Sequence, residues 1–99
     1  MFDWKNKDLV EYAEKMKALG HPLRLCMALG LVECEGCNVK KIQKCTEVPQ
    51  STISQHLDKL KNAGIIAGER KGNEIVYRVI DPGIKKLLEC IFSCKEFGV

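Results

Sequence analysis

The stretch Val48-Pro-Gln-Ser-Thr-Ile-Ser-Gln-His-Leu-Asp-Lys-Leu-Lys-Asn-Ala-Gly64 decides how this chain is read. Ile53, Leu57 and Leu60 recur at steps of four and three residues, which on a helix makes a single apolar stripe. The opposite side carries Ser51, Thr52, Ser54, Gln55, Lys59 and Asn62, short donors and acceptors with lysine only towards the far end. Pro49 suits a first turn, where its missing N–H costs nothing, and Gly64 suits a C-terminal stop. A solvated surface helix carries long Glu/Lys pairs on its outer face. One lined with Ser, Thr, Gln and Asn is better built to approach phosphates and base edges.

Behind this helix, Ile65 to Ile80 reads as two short β segments around Lys71-Gly72-Asn73, a turn able to take positive φ. The second segment alternates Ile75, Tyr77 and Val79 against Val76, Arg78 and Ile80. Ahead of it, residues 4–19 predict a first helix with Leu9, Tyr12, Ala13, Met16 and Leu19 as its stripe. Gly20-His21-Pro22 ends that helix, and Pro22 opens a second over 22–33 that is apolar on most sides and therefore central. A loop, Glu33-Cys-Glu-Gly-Cys-Asn38, leads to a short third helix over 39–46, which has only Val39 and Ile42 for packing. Asp81-Pro82-Gly83 starts a last helix over 82–97, with Ile84, Leu87, Leu88, Ile91 and Cys94 on one face. The fold class is mainly α with a small β-hairpin. The order α-α-α-α-β-β-α predicts a winged helix-turn-helix, the hairpin being the wing. Residues 1–99 are expected to form a single domain, without repeats or linkers.

The totals agree with a nucleic-acid partner without requiring one. The net charge is +3, and 29% of residues are charged. Residues 59–71 concentrate Lys59, Lys61, Arg70 and Lys71 against a single Glu69. No apolar run reaches the roughly 18–20 residues of a membrane span, and no signal pattern opens the chain, so a cytoplasmic protein without a membrane partner is expected. Six cysteines are many for a reducing compartment. An exported disulfide scaffold is the competing reading, but the helical patterning builds a core without staples, leaving metal, metalloid or redox chemistry to explain them.

Three motifs carry a resemblance. Leu19-Gly-His-Pro-Leu-Arg-Leu25 resembles the entry to the second helix in the ArsR/SmtB family of metal- and redox-sensing repressors. Gln50 to Ile65 is similar to that family's recognition helix, and Arg70-Lys-Gly-Asn-Glu-Ile-Val-Tyr-Arg-Val79 to its wing. The resemblance implies a homodimer formed through the first and last helices (4–19 and 82–97). It also implies binding of a palindromic operator in double-stranded DNA, and release when an inducer binds.

In that setting Gln50, Ser51, Thr52, Ser54 and Gln55 are assigned to phosphate and base-edge contacts, since glutamine can pair bidentately with adenine. Lys59, Lys61, Arg70 and Lys71 are the phosphate candidates, and together they predict binding that falls steeply with salt. His56, between Ile53 and Leu57, reads as a half-buried, hydrogen-bonded support. Arg24, opening an apolar helix, reads as structural, bonding a nearby carboxylate or carbonyl. No pair of residues suggests acid–base chemistry and no phosphate loop is present, so no enzyme and no required cofactor are expected.

Cys34, Cys37 and Cys45 lie in the loop and short helix that feed the polar helix. Soft thiolates favour Zn(II), Cd(II), Cu(I) or trivalent arsenic, and three convergent sulfurs suit a trigonal metalloid. The resemblance implies an arsenic or cadmium site here, although the family's Cys-Val-Cys is Cys-x-x-Cys in this chain. Arsenite or a soft heavy-metal ion, As(III), Cd(II) or Zn(II), is accordingly the expected inducer. Cys90 and Cys94 share a face of the last helix and form the alternative ligand pair. The family's zinc site on that helix would fall on Asp81, Gly83, Cys94 and Phe97, two of which are not ligands. A thiol redox or persulfide sensor joining Cys26 to Cys90 or Cys94 is the second reading, failing which Cys26 is a buried, inert packer. A thiol oxidoreductase using Cys34 and Cys37 is the third, and it lacks the preceding strand such chemistry uses.

Overall fold

A computed structural model of the chain describes residues 3–94. The elements are α1 (Lys7–Leu19), α2 (Pro22–Glu33), α3 (Val39–Thr46), α4 (Gln50–Asn62), β1 (Ile66–Lys71), β2 (Glu74–Val79) and α5 (Pro82–Cys94). This is the expected order and a winged helix-turn-helix. α3 and α4 are the helix-turn-helix pair, and the β1–β2 hairpin is the wing. No helix among the described residues is long and apolar enough to cross a membrane.

Helix ends follow local chemistry. Asn6 caps α1 by accepting from the amides of Asp8 and Leu9, so residues 4–6, predicted helical, lie outside the helix. His21 caps α2 through Nδ1, and Pro22 takes the first turn as predicted. Pro49 stands at the N-cap of α4, one place earlier than the sequence suggested, because its φ of −56° and ψ of 145° are extended rather than helical. Gly64, at φ +80°, takes the left-handed conformation that stops α4. The last helix is described to Cys94; the rest of the predicted 82–97 span, Phe97 included, lies outside the described residues.

One cluster of buried side chains ties the elements together. Ile53, Leu57 and Leu60 of α4 enter it with Met27, Ala28, Leu29 and Leu31 of α2, Ile65 and Ile66 at the hairpin base, and Ile84 and Leu88 of α5. Each fully buried aliphatic side chain contributes about 1.5–3 kcal/mol, so the α4 stripe alone fixes which face of that helix is left outside. α3 is seated more firmly than its sparse apolar content suggests: Ile42 is buried and Val39 packs at the edge. On α1 only Leu19 is buried. Leu9, Tyr12 and Met16 of the predicted stripe are exposed, with Val10 beside them.

The hairpin is antiparallel, pairing Ile66 with Val79 through Lys71 with Glu74 across a two-residue turn. β2 has a second neighbour. Cys37 exchanges two backbone hydrogen bonds with Tyr77, at 3.0 and 2.8 Å, making the α2–α3 loop a one-residue third strand. This explains why β2 does not alternate cleanly between buried and exposed: Val76 through Val79 are all half-buried, because the loop covers the face that would otherwise meet solvent.

Candidate nucleic-acid interface and thiol cleft

Burial of the α4 stripe turns Gln50, Ser51, Gln55, Lys59 and Lys61 to solvent, with Thr52 and Ser54 half-buried at the flanks. Asp58 is exposed on the same side as Ser51 and Gln55, an acidic group that the sequence reading did not weigh. α4 has no side-chain cap, unlike α1, α2 and α3; its Thr52 amide bonds back to the Pro49 carbonyl, which leaves the Gln50 and Ser51 amides to donate outward. A helix N-terminus of this kind accepts a phosphate readily. Arg70 and Lys71 are exposed at the wing tip. A groove of about 320 Å³ lies between wing and helices, walled by Asn38, Lys40, Gln50, Asn73, Glu74 and Tyr77 among others. Lys59 lies elsewhere, in a cleft with Glu14, Lys17 and Arg24 at the far end of α4.

Arg24 and His56 hold this interface from behind, as the sequence suggested. Arg24 Nε donates to the Ala18 carbonyl at 2.6 Å, and its Nη1 lies 3.2 Å from His56 Nδ1. The His56 and His21 rings lie 4.7 Å apart. Burial, then His21, Arg24 and Lys59, hold the His56 pKa below its ordinary value, so the ring is neutral and accepts from Arg24. The end of α1, the start of α2 and the middle of α4 are thereby fastened at one point.

A second fastening went unread in the sequence. Asn38 caps α3 by accepting from the Lys41 amide at 2.8 Å and donates to Glu74 at 2.6 Å, joining α3 to the wing. A third is Asp81, buried at the start of α5. It accepts from the Ile84 amide at 3.0 Å and from Tyr12 at 3.2 Å, and pairs with Lys15. Burial pushes its carboxyl up, but Lys15, Ile84 and Tyr12 together outweigh that and hold it below the usual range. Only tertiary contact brings α1 to these partners; the one legible signal was a cap residue before Pro82.

Cys26, Cys34, Cys37 and Cys45 all line one cleft of about 170 Å³ between α2 and α3. Cys26, expected to be buried, is exposed, because its side of α2 faces this cleft and not the core. It also edges an apolar cleft closed by Phe92 of α5, while Cys90 and Cys94 are exposed. Cys34 caps the end of α2, and Cys37 is the one buried cysteine among the described residues. Burial, a hydrogen bond with Cys34 and the nearby Cys34 and Cys45 push the Cys37 thiol up to about 11, against a smaller opposing pull from Lys41. That is the reverse of an activated catalytic thiol. Cys45 is exposed near the end of α3. Among the described residues no three Cys, His, Asp or Glu side chains stand ready around one ion.

A chain with this fold, a polar uncapped helix and a basic wing tip has the make-up of a winged-helix regulator. Comparison with known proteins makes the assignment specific. Residues 22–67 match the bacterial regulatory protein, arsR family. The transcriptional repressor PagR of Bacillus anthracis is 38% identical over 86 residues, covering 84% of this chain and 86% of PagR. Its crystal structure superposes with a TM-score of 0.80 at 32% identity, covering 85% of this chain and 95% of that one. The repressor SmtB of Mycobacterium tuberculosis is 43% identical over 68 residues, which are 69% of this chain; the chain spans about half (50%) of SmtB's length. A homodimeric winged helix-turn-helix DNA-binding domain from Mycobacterium bovis, Mb0332, matches with a TM-score of 0.78 at 26% identity, covering 95% of this chain and 86% of that one. The chain belongs to the ArsR family of regulatory proteins, as the three sequence motifs implied. That is a family of transcriptional regulators and not of enzymes.

Proposed function

We propose that this protein is a homodimeric, DNA-binding transcriptional repressor of the cytoplasm, released from a palindromic operator by a thiol-binding inducer. The inducer is arsenite or a soft metal ion such as Cd(II) or Zn(II), taken by the α2–α3 cysteines. The dimer is supported by apolar side chains left outside the core: Leu9, Val10, Tyr12 and Met16 on α1 and Phe92 on α5. In such a dimer each α4 enters a major groove with the Gln50–Gln55 face inward, and the wings bring Arg70 and Lys71 to flanking phosphates. Half-sites then lie about one helical turn, roughly 34–36 Å, apart. The PagR, SmtB and Mb0332 likenesses support the same reading.

The observation that carries the inducer reading is the backbone pairing of Cys37 with Tyr77. A ligand that moves Cys37 must move the wing strand, and Asn38, the next residue, holds both α3 and Glu74. Binding energy spent at the thiols is thus passed to the DNA-facing elements, and the ligand favours a conformation that fits DNA less well. A redox reading has support of its own, since Cys26 is exposed beside Phe92 on the helix that carries Cys90 and Cys94. There, a persulfide donor or oxidant joins Cys26 to Cys90 or Cys94.

Fluorescence anisotropy with a labelled palindromic duplex at low ionic strength tests both. The dimer binds, and arsenite, Cd(II), Zn(II) or a persulfide donor releases it. Cys34→Ser loses metal and arsenite release on the first reading; Cys94→Ser loses persulfide release on the second. A monomer that ignores every palindrome would refute the repressor itself.

A further inference from the structure

We propose that His21 and His56 form a proton-operated latch on the DNA-reading helix: mild acid opens it, loosens α4 from α2 and weakens DNA binding. This deepens the repressor reading above and rests on it.

The chain has two histidines, and the fold brings both to one place, with ring centroids 4.7 Å apart. One stands on each side of a joint, His21 at the start of α2 and His56 in the middle of α4. Their hydrogen bonds fix where the ring protons are. A backbone N–H can only donate, so His21 Nδ1 accepts from the Leu23 amide at 3.1 Å. A guanidinium can only donate, so His56 Nδ1, 3.2 Å from Arg24 Nη1, accepts as well. Both neutral rings therefore carry their proton on Nε2. A second proton on either ring must go to Nδ1, the atom already in use. On His21 it removes the cap of α2, and on His56 it sets a donor against a donor.

The surroundings keep the closed form neutral. Among the described residues, the groups acting on the His56 ring are His21 and Arg24 from α2 and Lys59 from α4 itself, all basic, with none from α3. α1 brings Glu14 and Lys17 to the cleft that Arg24 and Lys59 share, but neither acts on the ring. No carboxylate among the described residues is paired with either histidine. Burial and these basic neighbours hold the His56 pKa below its ordinary value. Arg24 cannot simply follow a charged ring away, because its Nε is committed to the Ala18 carbonyl at 2.6 Å. Protonation therefore pushes α4 off the corner where α1 meets α2, and Ser54 and Gln55, the two residues before His56, move with it.

The sign sets this device apart. A histidine facing DNA tightens binding in acid, because its new charge meets phosphate. This pair stands behind the interface, where a new charge meets Arg24 and Lys59, so acid loosens binding instead. With the closed-state pKa depressed, the open form binds the proton better. The latch is therefore fully closed above the ordinary histidine value of about 6.5 and opens as pH falls through the closed-state value.

The latch is read first in the free protein. NMR of the imidazole nitrogens should find both rings as Nε2–H tautomers at about pH 7.5, with the Leu23 amide and the amides around residue 56 shifting as the rings take up protons. An Nδ1–H tautomer at His56, or α4 amides that ignore its titration, overturns the latch. Labelled palindromic DNA at constant ionic strength is the second readout. Between about pH 7.5 and about pH 5 affinity should fall at least about tenfold, since each excluded proton lowers it by up to about tenfold per pH unit. His56→Gln keeps an acceptor for Arg24 but takes no proton, and should limit that fall to under about threefold. His21→Asn, which caps α2 through an oxygen, should keep the part due to His56. Binding that tightens or stays level in acid, or a His56→Gln variant as pH-sensitive as the parent protein, overturns the latch and leaves the repressor reading intact. A protein that binds no palindrome at about pH 7.5 overturns the repressor reading, while the NMR titration still decides the latch.

Discussion

Arg24→Ala offers the sharpest check on how the interface is held. The substitution removes a short charge-assisted bond to the Ala18 carbonyl and a longer contact with neutral His56. The first kind contributes about 1.5–3 kcal/mol and the second about 0.5–1.5 kcal/mol. The Ala18 carbonyl is only half-buried and can be rehydrated, so the expected loss lies near the lower end, about 2–3 kcal/mol. For a domain of this size that corresponds to a fall in Tm on the order of 10–20 °C. Urea denaturation followed by circular dichroism measures it, with every variant at one protein concentration because dimerisation would add to apparent stability. Arg24→Lys keeps the charge without the planar fork and should recover less than half. The dependence of DNA affinity on salt should not change, because the guanidinium is committed to Ala18 and His56. A loss under about 0.5 kcal/mol, or a shallower salt dependence in Arg24→Ala, would refute the assignment of Arg24 as a structural fastening.

Three further outcomes are expected. Arg70→Ala or Lys71→Ala should lower the slope of log affinity against log salt by about 1.8, two phosphates per dimer at about 0.9 each, while Lys59→Ala, in its cleft with Glu14, should change it less. Asp81 has a depressed folded pKa, so its stabilisation is complete above the unfolded carboxyl value and disappears as pH falls through the folded one. Below about pH 4 the urea midpoint of the parent protein should therefore drop more steeply than that of Asp81→Asn. Gly36→Ala should cost about 1–3 kcal/mol through its φ alone and loosen the Cys37–Tyr77 pairing, seen as faster hydrogen exchange of the Tyr77 amide; unchanged exchange would separate the loop from the wing.

Much was legible because it was local. The α4 stripe, Pro22 at a helix start, Gly64 at a stop and the Gly72 turn each constrain only a few consecutive residues, and periodicity or backbone sterics fixes them before any tertiary contact forms. The polar face of α4 was readable for the same reason, once Ile53, Leu57 and Leu60 were set aside for the core. Arg24 and His56 could be marked as structural, because a charged or titratable group beside apolar neighbours must find a partner. Which partner it found could not be read: Ala18 and His56 meet Arg24 only when three helices converge.

The cysteines show the limit most clearly. Their spacing proposed a buried Cys26, because the apolar neighbours along α2 were the only available measure of its surroundings. In the folded chain Cys26 is exposed and lines the same cleft as Cys34, Cys37 and Cys45. The Cys37–Tyr77 pairing, the Asn38–Glu74 bond and the Lys15–Asp81 contact join residues 36 to 66 positions apart. The sequence by itself determined the elements, their order and the polar face of α4 left outside the core, since these depend on short-range sterics and on apolar side chains leaving water. Only the tertiary structure decided which thiols share a cleft and which elements the Cys37 loop is tied to, because both depend on how separate elements cross in space.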